Sequence, residues 1–264
     1  MNLRSGFLSL ALASLFVFGS NSTVQAEKEE RQQQDTAEVV EPIITEETLP
    51  NEVGEWDLRV STHVRRHHGE TSATLPRVQL FFGIAERLGG DIGLPLVYRA
   101  GSGRSYSFGP LSTSLKWVLV EPGQSWPAVT LGLEAEFPTG DAEAEVGERA
   151  YELTPSLALL KDFGAFSIQG NIGWSVAVPT NEEKRTQTFV YNWALAVPVW
   201  NKKVYYFAEI NGAVGLNYAK HPIALSPGVK YFLTDSFSLA VAVPVGLTHS
   251  ADAWGTVTQA QVSF

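Results

Sequence analysis

Between Phe237 and Phe264 the chain alternates with a period of two. Phe237, Leu239, Val241, Val243, Val245 and Leu247 are apolar, and Ser238, Ala240, Ala242, Pro244, Gly246 and Thr248 stand between them. After a polar break over 249–252, Trp254, Thr256, Thr258, Ala260, Val262 and Phe264 resume opposite Gly255, Val257, Gln259, Gln261 and Ser263. This is the period of a strand, whose side chains point alternately to two faces. Two such strands across a short polar loop predict an antiparallel hairpin. The same alternation begins at Val53 and does not stop. It predicts strands over 56–65, 77–84, 91–99, 111–119, 129–137, 152–159, 166–176, 188–197, 206–218 and 223–233. With the closing hairpin that makes about twelve, an even number as single-chain bacterial barrels require.

The connections sort by length. Tight turns are expected at 85–87, 121–125, 161–164, 201–203 and 234–236, and longer loops at 67–73, 100–109, 139–150 and 179–186. Short turns at one end and long loops at the other are a membrane-barrel asymmetry. The apolar face carries aromatics near strand ends, among them Trp56, Trp117, Phe137, Tyr191, Tyr206 and Trp254, as interfacial girdles require. The expected fold is all-β: a transmembrane antiparallel up-and-down β-barrel of about 12 strands. Both termini then fall on the short-turn, periplasmic side, and Phe264 closes the last strand onto the first.

Composition narrows the function. Charged residues are 18% and cysteine is absent. The absence of cysteine excludes disulfides, thiolate metal sites and a cysteine nucleophile. A net charge of -9 argues against a nucleic-acid partner. No run of ~18 apolar residues follows residue 26, so no helical span is expected. Residues 1–26 read as a signal peptide, with Arg4, an apolar core from Phe7 to Phe18 and a small-residue site at Val24-Gln25-Ala26. Residues 27–51 are acidic and lack aromatics, and read as a disordered periplasmic extension. A short helix across Glu27–Val39 is the competing reading, and nothing in the sequence supports a plug. Residues 52–264 form the barrel. The expected location is the bacterial outer membrane, and the expected partners are outer-membrane lipid, a small-molecule solute and the barrel-assembly machinery.

The face opposite the apolar one lines a lumen. Arg59, Arg77, Arg99, Lys116 and Lys230 supply positive charge, and Asp57, Asp91, Glu134, Glu136, Glu152 and Glu209 negative charge. Twelve strands lie between the ~8 that side chains fill and the ~16 that leave a water channel. Opposed charges across so narrow a space should pair, giving either a salt-bridged plug or a selective gate. Small residues at Ala194, Ala196, Ala240, Ala242 and Gly246 leave room on one wall, and Phe81, Phe207 and Phe232 add apolar lumen surface. This mixture suits a small apolar or aromatic solute. Prolines near the long-loop strand ends mark rim termination, or a local opening of the wall.

Other chemistries are weaker. His67, His68 and His249 are brought to one rim by pairing of the last strand with the first, and could hold a transition metal. Solvation, or lipid phosphate binding with Arg65 and Arg66, is the plainer reading. Asp141, Glu143 and Glu145 alternate in one loop and could hold calcium. Ser250 beside His249 could be imagined in a lipid-active barrel enzyme, but no activated nucleophile stands out. No enzyme activity and no cofactor are expected.

Several segments resemble a known family. Glu86-Arg87-Leu88 leading to Ile92-Gly93-Leu94-Pro95-Leu96, and the block 109–117, are similar to a turn and two strands of the outer-membrane family named after the meta-pathway of phenol degradation. The block 128–141, ending Phe137-Pro138-Thr139-Gly140-Asp141, resembles its strongest motif, and 153–157 and 225–231 resemble two later ones. The resemblance runs from about Glu52 to Phe264. It implies an envelope barrel, often labelled a transporter and loosely grouped with channels for apolar or aromatic compounds, and it brings no catalytic residues. Pro110 stands where an acidic residue is common in that family.

Overall fold

The computed structural model describes residues 40–67, 70–100, 104–139, 150–180 and 184–264. The chain runs through β1 (Trp56–His67), β2 (Glu70–Ala85), β3 (Leu88–Ala100), β4 (Arg104–Phe108), β5 (Leu111–Val120), β6 (Ala128–Phe137) and β7 (Ala150–Asp162). It continues through β8 (Ser167–Pro179), β9 (Thr186–Val199), β10 (Val204–Gly215), β11 (Ile223–Thr234), β12 (Phe237–Ala242), β13 (Val245–Gly246) and β14 (Trp254–Ser263). Each strand pairs antiparallel with its neighbours in sequence, and β14 pairs with β1 from Asp57↔Ser263 to Arg66↔Trp254. The sheet therefore closes on itself, which removes the two free edges an open sheet would have.

The fourteen segments make twelve staves. β4 and β5 both pair with β3 and form one stave, interrupted at Gly109-Pro110. β12 and β13 form another, both on β11, interrupted at Val243-Pro244. Proline has no N–H to give to the ladder. Its flanking groups still pair: Val243 N–H donates to Pro227 O (2.9 Å) and Gly255 N–H to Pro244 O (2.8 Å).

Two expected loops turn out to be wall. Residues 71–74 pair with 63–66, so the first hairpin is strand through most of 67–73. Part of 100–109 is β4, laid back on β3. Both stretches carry β-branched or aromatic residues among polar ones. The alternation continues there, but too weakly for composition to reveal it.

The two faces separate as the alternation requires. Val60, Ile92, Leu115, Leu131, Ile172, Leu195, Ile210 and Val241 all lie exposed on the outside. Asp57, Ser61, Asp91, Lys116, Gln169, Glu209 and Lys230 are buried on the inside. A barrel with an apolar exterior and a polar interior is inside out relative to a soluble protein, and lipid is the solvent that makes this stable. No helix of the described residues is long and apolar enough to cross a membrane.

Aromatic contacts mark both ends. At the short-turn end Trp56 meets Phe82 (5.4 Å between centroids), Phe163 stacks on Phe166 (4.8 Å) and Trp200 on Tyr231 (6.4 Å). At the long-loop end Tyr98 meets Tyr106 (4.7 Å) and Phe137 meets Tyr151 (6.3 Å). The barrel closes where Trp56 and Phe264 exchange two backbone hydrogen bonds, of 3.0 and 2.9 Å. The start of β1 and the end of the chain thus share the short-turn end.

Candidate functional site

The lumen is occupied by the chain itself. Residues 40–51 precede β1 and pass inside the barrel, with Val40, Pro42, Ile43, Thr45, Glu47 and Thr48 buried. Disorder was the expectation for 27–51, and for 40–51 it does not hold; 27–39 and the signal-like segment 1–26 lie outside the described residues. The physical reason is that the stretch is disordered only if it has nowhere to bury itself. Its acidic and apolar residues each meet a matching wall.

The backbone is met first. A segment without strand pairing needs partners for its buried N–H and C=O groups. Glu209 on β10 is fully buried and accepts the amides of Ile43 (2.9 Å), Ile44 (3.1 and 3.2 Å) and Thr45 (2.6 Å). Three successive N–H groups around one carboxylate form an anion-holding nest. Gln169 Nε2 donates to Val40 O (2.7 Å), and Thr48 Oγ1 to Leu159 O (3.4 Å).

Side-chain charges come next. Glu41 Oε2 lies 3.0 Å from Arg59 Nη2 and 3.3 Å from Lys230 Nζ, so two cations converge on one oxygen. Glu47 also pairs with Arg59. Glu46 pairs with Lys116 (3.5 Å) and accepts from Asn171 Nδ2 (3.0 Å). Ion pairing in the lumen was expected across the walls. Among the described residues the pairs of Arg59, Lys116 and Lys230 run between wall and inserted segment, because a carboxylate on a separate strand of chain can reach a cation that the opposite wall cannot.

An asparagine ladder continues this contact. Asn171, Asn192 and Asn211 stand in one hydrogen-bonded row of β8, β9 and β10. Asn192 donates to Asn171 and Asn211 to Asn192, each at 3.1 Å, and Asn211 Nδ2 lies 3.3 Å from Thr45 Oγ1.

Packing completes the fit. Val40 and Ile43 join Ala196, Tyr205, Phe207, Ala240, Ala242 and Val257 in one buried apolar cluster. The small-residue wall expected from β9 and β12 is thus where the inserted segment sits. Gly228 is part of the fit: a Cβ there would stand 2.6 Å from Ile43 Cδ1. Gly89 admits Pro50 in the same way, since a Cβ would stand 2.6 Å from the proline Cβ.

The remaining candidates lie elsewhere on the lumen face. Arg77 Nη2 donates to Ser112 Oγ (3.0 Å), and Ser175 donates to Glu152. Glu134 lies within electrostatic reach of Glu46, Glu136, Asp91 and Arg77. Arg59 stacks over Phe81 (4.3 Å), and Lys230 lies 5.5 Å from the Phe232 centroid. The side chains of Arg99 and His67, and all of His68, lie outside the described residues, as do Asp141, Glu143 and Glu145. Among the described residues no group of three metal-ligating side chains gathers. Ser250 Oγ accepts the His221 amide (3.2 Å).

Sequence reasoning missed Glu41, Glu46 and Glu47 as site residues. One signal was available. Pro42, Ile43 and Ile44 form an apolar core inside an acidic stretch, and an isolated apolar run flanked by charge is what a docking segment needs.

Comparison with known proteins now adds the family. The profile described as "Putative MetA-pathway of phenol degradation" matches residues 46–264. The chain belongs to this family. No curated protein sequence matches it significantly. Among solved structures, an outer membrane channel from Pseudomonas putida F1 is similar in fold, with a TM-score of 0.66 at 11% identity, covering 86% of this chain and 100% of that one. The NanC porin has a TM-score of 0.58 at 9% identity, covering 79% and 98% of the two chains. The KdgM porin has a TM-score of 0.54 at 12% identity, covering 80% and 99%. At these identities the likeness is one of fold, and the fold is that of outer-membrane barrels.

Proposed function

We propose that this member of the phenol-degradation family is an outer-membrane channel for small apolar or aromatic molecules, held shut by residues 40–51. The carrying observation is that every described cation of the ion pairs inside the lumen — Arg59, Lys116 and Lys230 — is matched by a carboxylate of that one segment. A barrel that needed only stiffening could pair its charges wall to wall. Placing all the partners on a single stretch makes them removable together. Channel and porin neighbours support the transport reading. The mixed lumen of alanines, phenylalanines and polar groups supports the solute class. In this reading both termini face the periplasm and the protein performs no chemistry.

The cysteine-free chain allows a direct test. Ile43→Cys with Gly228→Cys places two thiols at the point where Ile43 Cδ1 now lies 2.6 Å from where a Cβ on Gly228 would stand. Refolded into a planar bilayer, the oxidised pair should be silent, and reduction should restore the openings of the wild type. Equal conductance in both redox states would sink the gate. Silence of the wild type and of a variant lacking residues 40–48 would favour the second reading, a plugged structural barrel.

A further inference from the structure

We infer that the inserted segment occupies a built site for a small apolar carboxylate, and that such a carboxylate is the solute class the barrel recognises. This rests on the channel reading above and narrows it. Val40-Glu41-Pro42-Ile43 presents one carboxylate flanked by apolar side chains. The wall answers each part. Arg59 and Lys230 hold a single carboxylate oxygen at 3.0 and 3.3 Å. Both cations are themselves buried, with side-chain exposures of 11% and 2%.

Two buried cations aimed at one point are costly without an anion between them. With Glu41 and Glu47 withdrawn, Asp57 remains near Lys230, and Asn51 and Gln261 already hold it by hydrogen bonds of 2.8 and 3.3 Å. Asp91 and Arg77 act on Arg59 in opposite senses. A net positive pocket remains, and it asks for one anion.

The neighbours of the cations decide what kind of anion. Phe81 lies under Arg59 at 4.3 Å and Phe232 beside Lys230 at 5.5 Å, with Tyr205 edge-on to Phe232 at 5.8 Å. Phe207, Ala240 and Ala242 complete the surface that Val40 and Ile43 cover. An inorganic ion would leave this surface wet. A carboxylate carrying an aromatic or branched apolar body would cover it, with its ring against alanine and phenylalanine and its oxygens on the cations.

The test uses benzoate as probe and benzyl alcohol as its neutral counterpart, on the full chain in detergent. In Glu41→Gln with Glu47→Gln the site loses its internal anions. Equilibrium dialysis should show benzoate binding about tenfold or more tighter than in wild type. Adding Lys230→Met should abolish the gain, and benzyl alcohol should show no such pattern. Equal binding of the two probes, or benzoate binding indifferent to Lys230, would overturn the inference.

If the double variant does not fold, a Thr48→Cys reporter in the otherwise native chain serves instead. Benzoate should raise its maleimide labelling rate and benzyl alcohol should not, and no benzoate effect counts against the site. The two readings fail separately. Conductance without benzoate preference removes only the carboxylate, and benzoate binding in a barrel that never conducts removes only the channel.

Discussion

Glu209 shows what a single residue does here. As one of many lumen carboxylates it was visible in the alternation of β10, but its partners were not. They are three backbone amides from a segment about 165 positions away in sequence, and amides leave no trace in a side-chain pattern. Hydrogen bonds to a charged group contribute about 1.5–3 kcal/mol each where nothing replaces them. Glu209→Leu should therefore release the segment. Labelling of a Thr48→Cys reporter is expected to accelerate by roughly a hundredfold, while the heat-modified gel shift of the folded barrel stays unchanged. An unaltered labelling rate would mean that the nest does not hold the segment. Arg59 and Lys230 were legible as lumen cations for the same reason as Glu209. That both aim at one oxygen depends on β1 and β11 being brought together by closure, which no local pattern encodes.

At the scale of the element, alternation did most of the work. It placed the strands, their faces and the turns, because lipid outside and water inside impose the same period of two on every stave. It failed at the rim of β1–β2, where polar residues stand on both faces, and in β4, whose alternation spans only five residues. The lipid face also contains a device that hydropathy cannot show. Gly170 and Gly212 lie under the rings of Trp193 and Tyr191, each so close that a Cβ would clash at 2.7 and 2.3 Å. An aromatic ring covers the bare backbone of a strand glycine and restores the packing its missing side chain would have supplied. A charge on this face should be expensive. Leu133→Arg, in the middle of β6, is expected to lower the folding free energy in bilayers by about 2–4 kcal/mol, measured by urea titration against Leu133→Ala. A change no larger than that of the alanine variant would place β6 away from the hydrocarbon.

At the scale of the molecule, closure is the cooperative event. β1 and β14 are the most distant strands in sequence, yet they pair along ten residues. The last pair is made by Trp56 and Phe264 through two backbone bonds. Deleting Phe264 removes both bonds and an exposed ring from the short-turn interface. Folding into lipid vesicles should slow and the folded fraction on a semi-native gel should fall. A variant that folds as the wild type does would show that the seam zips from its other end. The barrel itself was legible because its pattern repeats stave after stave. The occupant of its lumen was not, because a single short segment has no repeat and its composition alone reads as solvated chain.

That occupant is joined to β1 by a handful of residues, beginning at Pro50, which rests against Gly89. A ligand on so short a tether never dilutes: it competes at an effective concentration on the order of millimolar whatever the protein's abundance. A free solute of equal intrinsic affinity therefore gains nothing at micromolar levels and displaces the segment only as its own concentration approaches that value. As the gated channel proposed above, the barrel would behave as a threshold device, closed to traces of solute and open in surroundings rich in it, with the threshold set by the length of the tether together with the relative affinities of segment and solute.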